Sequence, residues 1–167
     1  SKRINQAIRE GISYLEQVKD IQLLWQTGSV DFEMIRDFMK GVNVTSTVLP
    51  FIQDMSSAYA VSDLLVCRAG ALTLAEVTAC GKPSILIPYP FATADHQRYN
   101  AMSLKEKGAA EVILEKELKG ENLAGMMIGL LKDENRLKEM SENAKILAKP
   151  MAASQIVDEM EELLRDG

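Results

Sequence analysis

Cys67-Arg68-Ala69-Gly70-Ala71-Leu72-Thr73-Leu74-Ala75-Glu76 is the stretch in which an extended pattern turns into a helical one. Just upstream, Asp63-Leu64-Leu65-Val66 is a short apolar run that reads as a buried strand. Downstream, Leu74-Ala75-Glu76-Val77-Thr78-Ala79-Cys80 reads as a helix, so Gly70 falls where strand becomes helix. The first amides of a helix have no partner within it and carry the positive end of its dipole. A phosphate or diphosphate is therefore expected there, held by the backbone amides of Ala71, Leu72 and Thr73. Gly70 has no Cβ and lets such a group come close, and the Thr73 hydroxyl can add a contact. Glu76 lies one turn beyond Thr73 on the same helix face. A carboxylate repels phosphate, so its sensible partner is a vicinal diol such as ribose. Together these residues point to a nucleoside diphosphate group. The competing account is a well-packed βα turn, because an isolated Gly-x-x-Thr carries little specificity.

Strands alternate with helices on both sides of this stretch. Strands are expected at 21–26, 42–49, 64–67, 84–87 and 110–114. Helices are expected at 4–18, at 31–39 capped by Asp31, at 55–61 capped by Asp54, and at 71–80. Further helices follow at 95–107, capped by Asp95 and stopped by Gly108, then at 121–131, 134–148 and 151–164. This alternation predicts an α/β fold: a Rossmann-like parallel sheet with helices on both faces. In such sheets ligands bind at the carboxyl ends of the strands. Those ends, near 26–28, 49–52, 68–70 and 88–90, share one rim with the motif above. Tyr89 and Phe91, in a loop rich in proline and aromatics, read as loop packing. The chain opens on a helix where a doubly wound domain opens on a strand, so a first strand is expected to be missing.

The 167 residues suit one domain with a substantial core. A net charge of -5 argues against nucleic acid as a main partner. No apolar run approaches the roughly 20 residues of a membrane span, and no signal peptide is visible. The two cysteines, Cys67 and Cys80, read as free thiols in a reducing cytoplasm and are too few for a metal site. His96 is the single histidine and stands beside Asp95. It reads as a capping or hydrogen-bonding group rather than as a base.

Three runs resemble the C-terminal, donor-binding domain of MurG-type glycosyltransferases: residues 67–76, Gly81-Lys82-Pro83-Ser84-Ile85-Leu86-Ile87-Pro88, and Asp95-His96-Gln97-Arg98-Tyr99-Asn100-Ala101. Arg3-Ile4-Asn5, Trp25-Gln26-Thr27-Gly28 and Phe51-Ile52-Gln53-Asp54-Met55 add support, and the match covers the whole chain in the family's order. The resemblance implies the C-terminal half of a two-domain GT-B fold, with residues 1–167 as the nucleotide-sugar domain. It implies transfer of N-acetylglucosamine from UDP-N-acetylglucosamine to lipid I in peptidoglycan synthesis, with no cofactor. By the same resemblance, the Ile52 backbone pairs with the uracil edge, the amides after Gly70 hold the diphosphate, and Glu76 binds ribose. Gln97 and Asn100 contact the sugar hydroxyls. Arg68 either approaches the phosphates or forms a structural ion pair with a helix carboxylate.

The family's N-terminal domain carries its catalytic base, its acceptor site and its membrane-docking face. A fragment without it holds no catalytic residue and is expected to bind donor at most. The parent enzyme would sit on the cytoplasmic face of the bacterial inner membrane. No Asp-x-Asp cluster is present, which disfavours a metal-dependent transferase. Rival accounts are the donor subunit of a split UDP-sugar transferase, a transferase acting on diacylglycerol, and a non-catalytic UDP-sugar binding module. The missing strand is central in the family's sheet. Its gap is expected to close by direct pairing of 21–26 with 64–67, or to be filled by a neighbouring chain in a strand-exchanged homo-oligomer.

Overall fold

The computed structural model describes residues 1–148, and the helix expected at 151–164 lies outside the described residues. The elements run α1 (Lys2–Leu15), β1 (Gln22–Gln26), α2 (Ser29–Met39), β2 (Thr45–Leu49), α3 (Met55–Val61), β3 (Leu65–Cys67) and α4 (Ala71–Ala79). They continue with β4 (Ser84–Leu86), α5 (His96–Glu106), β5 (Ala110–Val112), α6 (Gly120–Leu131) and α7 (Glu134–Leu147). All strand pairs are parallel: β1 with β2, and β3-β4-β5 in that order. Every link between neighbouring strands is a helical crossover, as the alternating pattern predicts.

Strand β4 explains the layering. Ser84, Ile85 and Leu86 are fully buried, and Ile87 just beyond them is too. Successive side chains of a strand point to opposite faces. Accordingly Ile85 and Ile87 pack in one core with Ile4 and Leu15 of α1 and Leu123 of α6. Leu86 packs in the other, with Leu74 of α4 and Ala101 of α5. Helices therefore cover both faces of this sheet, and a strand buried on both sides has to be largely apolar, Ser84 at its start being the exception.

A buried polar hub ties α1 to β1. Asn5 is 3 % exposed. Its Nδ2 donates to the Thr27 carbonyl at 2.8 Å and to Asp31 Oδ2 at 2.7 Å, while its Oδ1 accepts from Trp25 Nε1 at 3.0 Å. Asp31 is drawn into this hub and does not cap α2. That helix starts two residues earlier, after Gly28 at φ 80. Asp54 does cap α3, its carboxylate accepting from the Ser57 amide at 3.0 Å. Asp95 occupies the N-cap position of α5 but accepts no capping bond. Its φ of 56 is left-handed, and its carboxylate pairs instead with Arg98 at 3.5 Å.

The expected direct pairing of 21–26 with 64–67 is absent among the described residues: β1–β2 and β3–β4–β5 are separate sheets. A cavity of about 1220 Å³ lies between their facing edges, lined by Gln22 to Gln26 on one side and Leu65 to Cys67 on the other. Two backbone edges remain open there instead of meeting, although α1 packs with Trp25 of β1 and with Ile85 of β4 in one core. Among the described residues no helix is long and apolar enough to cross a membrane.

Candidate functional site

The carboxyl ends of the strands are knitted into two rims. On the first, the Thr27 amide donates to the Leu49 carbonyl at 3.0 Å and Gly28 to Pro50 at 3.1 Å. The Gln26 side chain accepts the Ile52 amide at 2.8 Å, which leaves the Ile52 carbonyl as the group available to a ligand. On the second rim, Arg68 Nη1 donates to the carbonyls of Ile87 and Pro88, each at 3.2 Å. Its Nη2 forms an ion pair with Glu115 at 2.6 Å, and the guanidinium lies 5.3 Å from the Tyr89 ring centroid. The structural ion pair, one of the two roles open to Arg68, is formed. The carboxylate belongs to a single 3-10 turn, Glu115–Glu117, rather than to an α-helix.

Helix α4 opens directly at Gly70, as the motif predicts. No side chain caps it and no acidic residue stands in its first turn. Gly70 has φ -68 and ψ 145, an ordinary extended conformation. The amides of Ala71, Leu72 and Thr73 thus form an uncovered positive end, and the Leu72 side chain beside them is 82 % exposed. Of the residues assigned to base, phosphate and ribose, Ile52, Thr73 and Glu76 line the large cavity, whereas Gly70, Ala71 and Leu72 are not in its lining.

Gln97 and Asn100 lie one turn apart on α5, both partly buried. Gln97 Oε1 accepts the Tyr89 amide at 3.0 Å, which fixes its Nε2 as the free donor. Gln97 lines a second, smaller cavity with Arg68 and Tyr89. Tyr89 and Phe91 do pack on each other, ring centroids 5.7 Å apart and edge to face, although Phe91 remains 81 % exposed. His96 is exposed at the start of α5.

Two residues of the site are given no role by sequence reasoning. Gln26 falls in a run that supports the resemblance, but at a strand end a polar residue does not by itself announce a partner. Tyr59 sits in α3, is 7 % exposed, and its hydroxyl donates to Glu76 Oε2 at 2.7 Å. Burial, then the Glu76 carboxylate, push the Tyr59 phenol well above its ordinary range, so it stays a donor.

Residues 1–156 match the glycosyltransferase family 28 C-terminal domain. The chain is 45% identical over 166 residues to the UDP-N-acetylglucosamine--N-acetylmuramyl-(pentapeptide) pyrophosphoryl-undecaprenol N-acetylglucosamine transferase of Thermodesulfovibrio yellowstonii, covering 99% of this chain and 45% of that protein. The enzyme of the same name from Geobacter sulfurreducens is 49% identical over 159 residues, 95% of this chain and 44% of its own length. The crystal structure of Acinetobacter baumannii MurG superimposes with a TM-score of 0.87 at 33% identity, covering 97% of this chain and 46% of that one. The chain thus spans just under half the length of the relatives it matches.

Proposed function

Since the chain belongs to the family of glycosyltransferase family 28 C-terminal domains, we propose that it is the donor-binding half of an inverting hexosyltransferase. That enzyme moves N-acetylglucosamine from UDP-N-acetylglucosamine to lipid I, an undecaprenyl-diphosphate-linked muramoyl pentapeptide, and yields lipid II for the cell wall. The observation that carries this is the uncapped start of α4 beside Glu76 on one cavity wall.

In this assignment the Ile52 carbonyl accepts from the uracil imide, its own amide being taken by Gln26. Glu76 accepts from the ribose hydroxyls. The amides of Ala71, Leu72 and Thr73 hold the diphosphate, and Gln97 Nε2 and Asn100 donate to sugar hydroxyls. Arg68 serves at one remove, holding the Pro88 carbonyl and Glu115 in place. When an acceptor hydroxyl attacks the anomeric carbon, the bond to the β-phosphate breaks and negative charge gathers on UDP. The α4 amides face that charge without reorganising, and a single such donor is worth roughly 3 kcal/mol in other enzymes. The base, the acceptor site and a membrane-docking surface belong to the other half of such an enzyme, so the parent would work at the cytoplasmic face of the inner membrane. Taken alone, the 167 residues bind donor and turn nothing over.

Calorimetric titration with UDP-N-acetylglucosamine and UDP-glucose, with Glu76→Ala alongside, tests this. Saturable binding that prefers N-acetylglucosamine and is weakened at least tenfold in Glu76→Ala is expected. A cooperatively folded protein that binds neither sugar nucleotide would overturn it. The open edges of β1 and β3 also favour self-association by strand exchange, which would appear as a concentration-dependent mass in sedimentation.

A further inference from the structure

The ribose carboxylate is not left to itself. Tyr59 Oη to Glu76 Oε2, at 2.7 Å, spans from α3 to α4 across 17 positions of sequence. Among the described residues no lysine or arginine forms an ion pair with Glu76, so this phenol is what orients the carboxylate. The two residues differ sharply in setting. The Tyr59 ring is buried, whereas Glu76 is exposed on the cavity wall. An exposed glutamate on a helix samples several rotamers, and fixing one costs side-chain entropy. A buried donor at hydrogen-bond distance restricts those rotamers before any ligand arrives. It also occupies one acceptor direction on Oε2 and leaves Oε1 and the remaining lone pairs for a diol.

We propose that Tyr59 is a positioning residue for ribose recognition, holding Glu76 in the rotamer that accepts from the 2′- and 3′-hydroxyls. The proposal rests on the donor site assigned above. It has a second consequence. Ile52 lies three residues before the start of α3 and lines the same cavity, so the Tyr59–Glu76 bond ties the element next to the base to the helix that receives ribose and diphosphate. Phenylalanine at 59 would keep the buried ring and lose only that tie.

The experiment is a double-mutant cycle on the 167-residue chain: wild type, Tyr59→Phe, Glu76→Ala and the pair, each titrated with UDP and with 2′,3′-dideoxyuridine diphosphate, which lacks both hydroxyls. Tyr59→Phe is expected to weaken UDP about fivefold, the worth of one hydrogen bond near 1 kcal/mol, and to change 2′,3′-dideoxyuridine diphosphate less than twofold. In the Glu76→Ala background Tyr59→Phe should cost nothing further. Equal losses on both probes, an undiminished UDP affinity, a further loss in the Glu76→Ala background, or a Tyr59→Phe chain without a cooperative melt would each assign the hydroxyl a merely structural role and overturn the proposal. The two levels separate cleanly. If Glu76→Ala weakens UDP binding at least tenfold while Tyr59→Phe is silent, only the positioning role falls. If Glu76→Ala binds UDP as wild type does, or wild type binds neither probe, the donor-site assignment falls with it.

Discussion

A methyl group placed on Gly70 would meet nothing closer than Thr73 Oγ1, at 3.8 Å. With φ -68 the backbone does not need glycine there either. No demand of the fold thus explains this glycine, and the space its missing side chain leaves lies over the uncapped amides of α4. Gly70→Ala should therefore leave the melting temperature within about 2 °C of wild type, since surface changes without a structural cause stay within roughly 0.5 kcal/mol. UDP affinity, by contrast, should drop tenfold or more, about 1.4 kcal/mol, because the methyl occupies the approach of the diphosphate. Paired thermal melts and calorimetry separate the two. A large loss of stability with unchanged affinity would mean that the glycine serves the turn.

Gly11 and Gly120 present the opposite case. A Cβ on Gly11 would come 2.5 Å from the Gly120 carbonyl oxygen, and one on Gly120 would come 2.5 Å from the Gly11 amide nitrogen. Helices α1 and α6 touch backbone to backbone here, and no flexible side chain can give way. Gly11→Ala should destabilise by about 1–3 kcal/mol despite the better helix propensity of alanine. Urea unfolding would measure it, and a neutral or stabilising result would show that the helices can part at little cost.

These two glycines show where sequence pattern stops informing. The Gly70 site was legible because a strand pattern ends and a helix pattern begins at one residue, and that junction is local. Strand β4 was legible because burial on both faces forces an unbroken apolar run. The Asp54 cap was legible for the same local reason. Asp31 misled because its partner, Asn5, is 26 positions away, and a buried amide outcompetes a cap. Tyr59 was invisible because nothing in a seven-residue helix announces a bond to a residue 17 positions on. The separation of β1 from β3 could not be foreseen either. Each strand pattern is correct by itself, but whether two edges meet is decided by the helices packed on each sheet.

The Asn5 hub makes a quantitative test possible. Asn5→Ala strips partners from the buried Trp25 indole and from the Thr27 carbonyl, and takes one donor from Asp31. Each buried polar group left unpaired costs about 1–3 kcal/mol, so a loss near 3 kcal/mol is expected. Asn5→Asp should be nearly as harmful, because a carboxylate cannot donate to Thr27 and repels Asp31. Chemical denaturation of both variants would check this, and a loss under about 1 kcal/mol would mean that water fills the hub.

The two thiols predict a contrast in chemistry and in pH dependence. Cys80 is exposed at the end of α4, while Cys67 ends β3. Burial pushes the Cys67 thiol from 9.0 up to about 12. Near pH 8 Cys80 should react quickly with a disulfide reagent and Cys67, partly exposed on the cavity wall but held as the protonated thiol, far more slowly, since the thiolate is the nucleophile. The linkage sign follows from the raised value. The folded state keeps its proton where the unfolded chain has already lost it, so the contribution is intact below about pH 9 and is lost as pH rises toward 12. Tyr59, also raised, adds loss of the same sign above its ordinary value of 10.0. The unfolding free energy from urea titrations should therefore fall between pH 9 and 11, by about 2 kcal/mol on account of Cys67, and Cys67→Val should flatten the first part of that fall. A flat profile in the parent chain, or equal reactivity of the two thiols, would show that solvent reaches Cys67 through the cavity its strand lines.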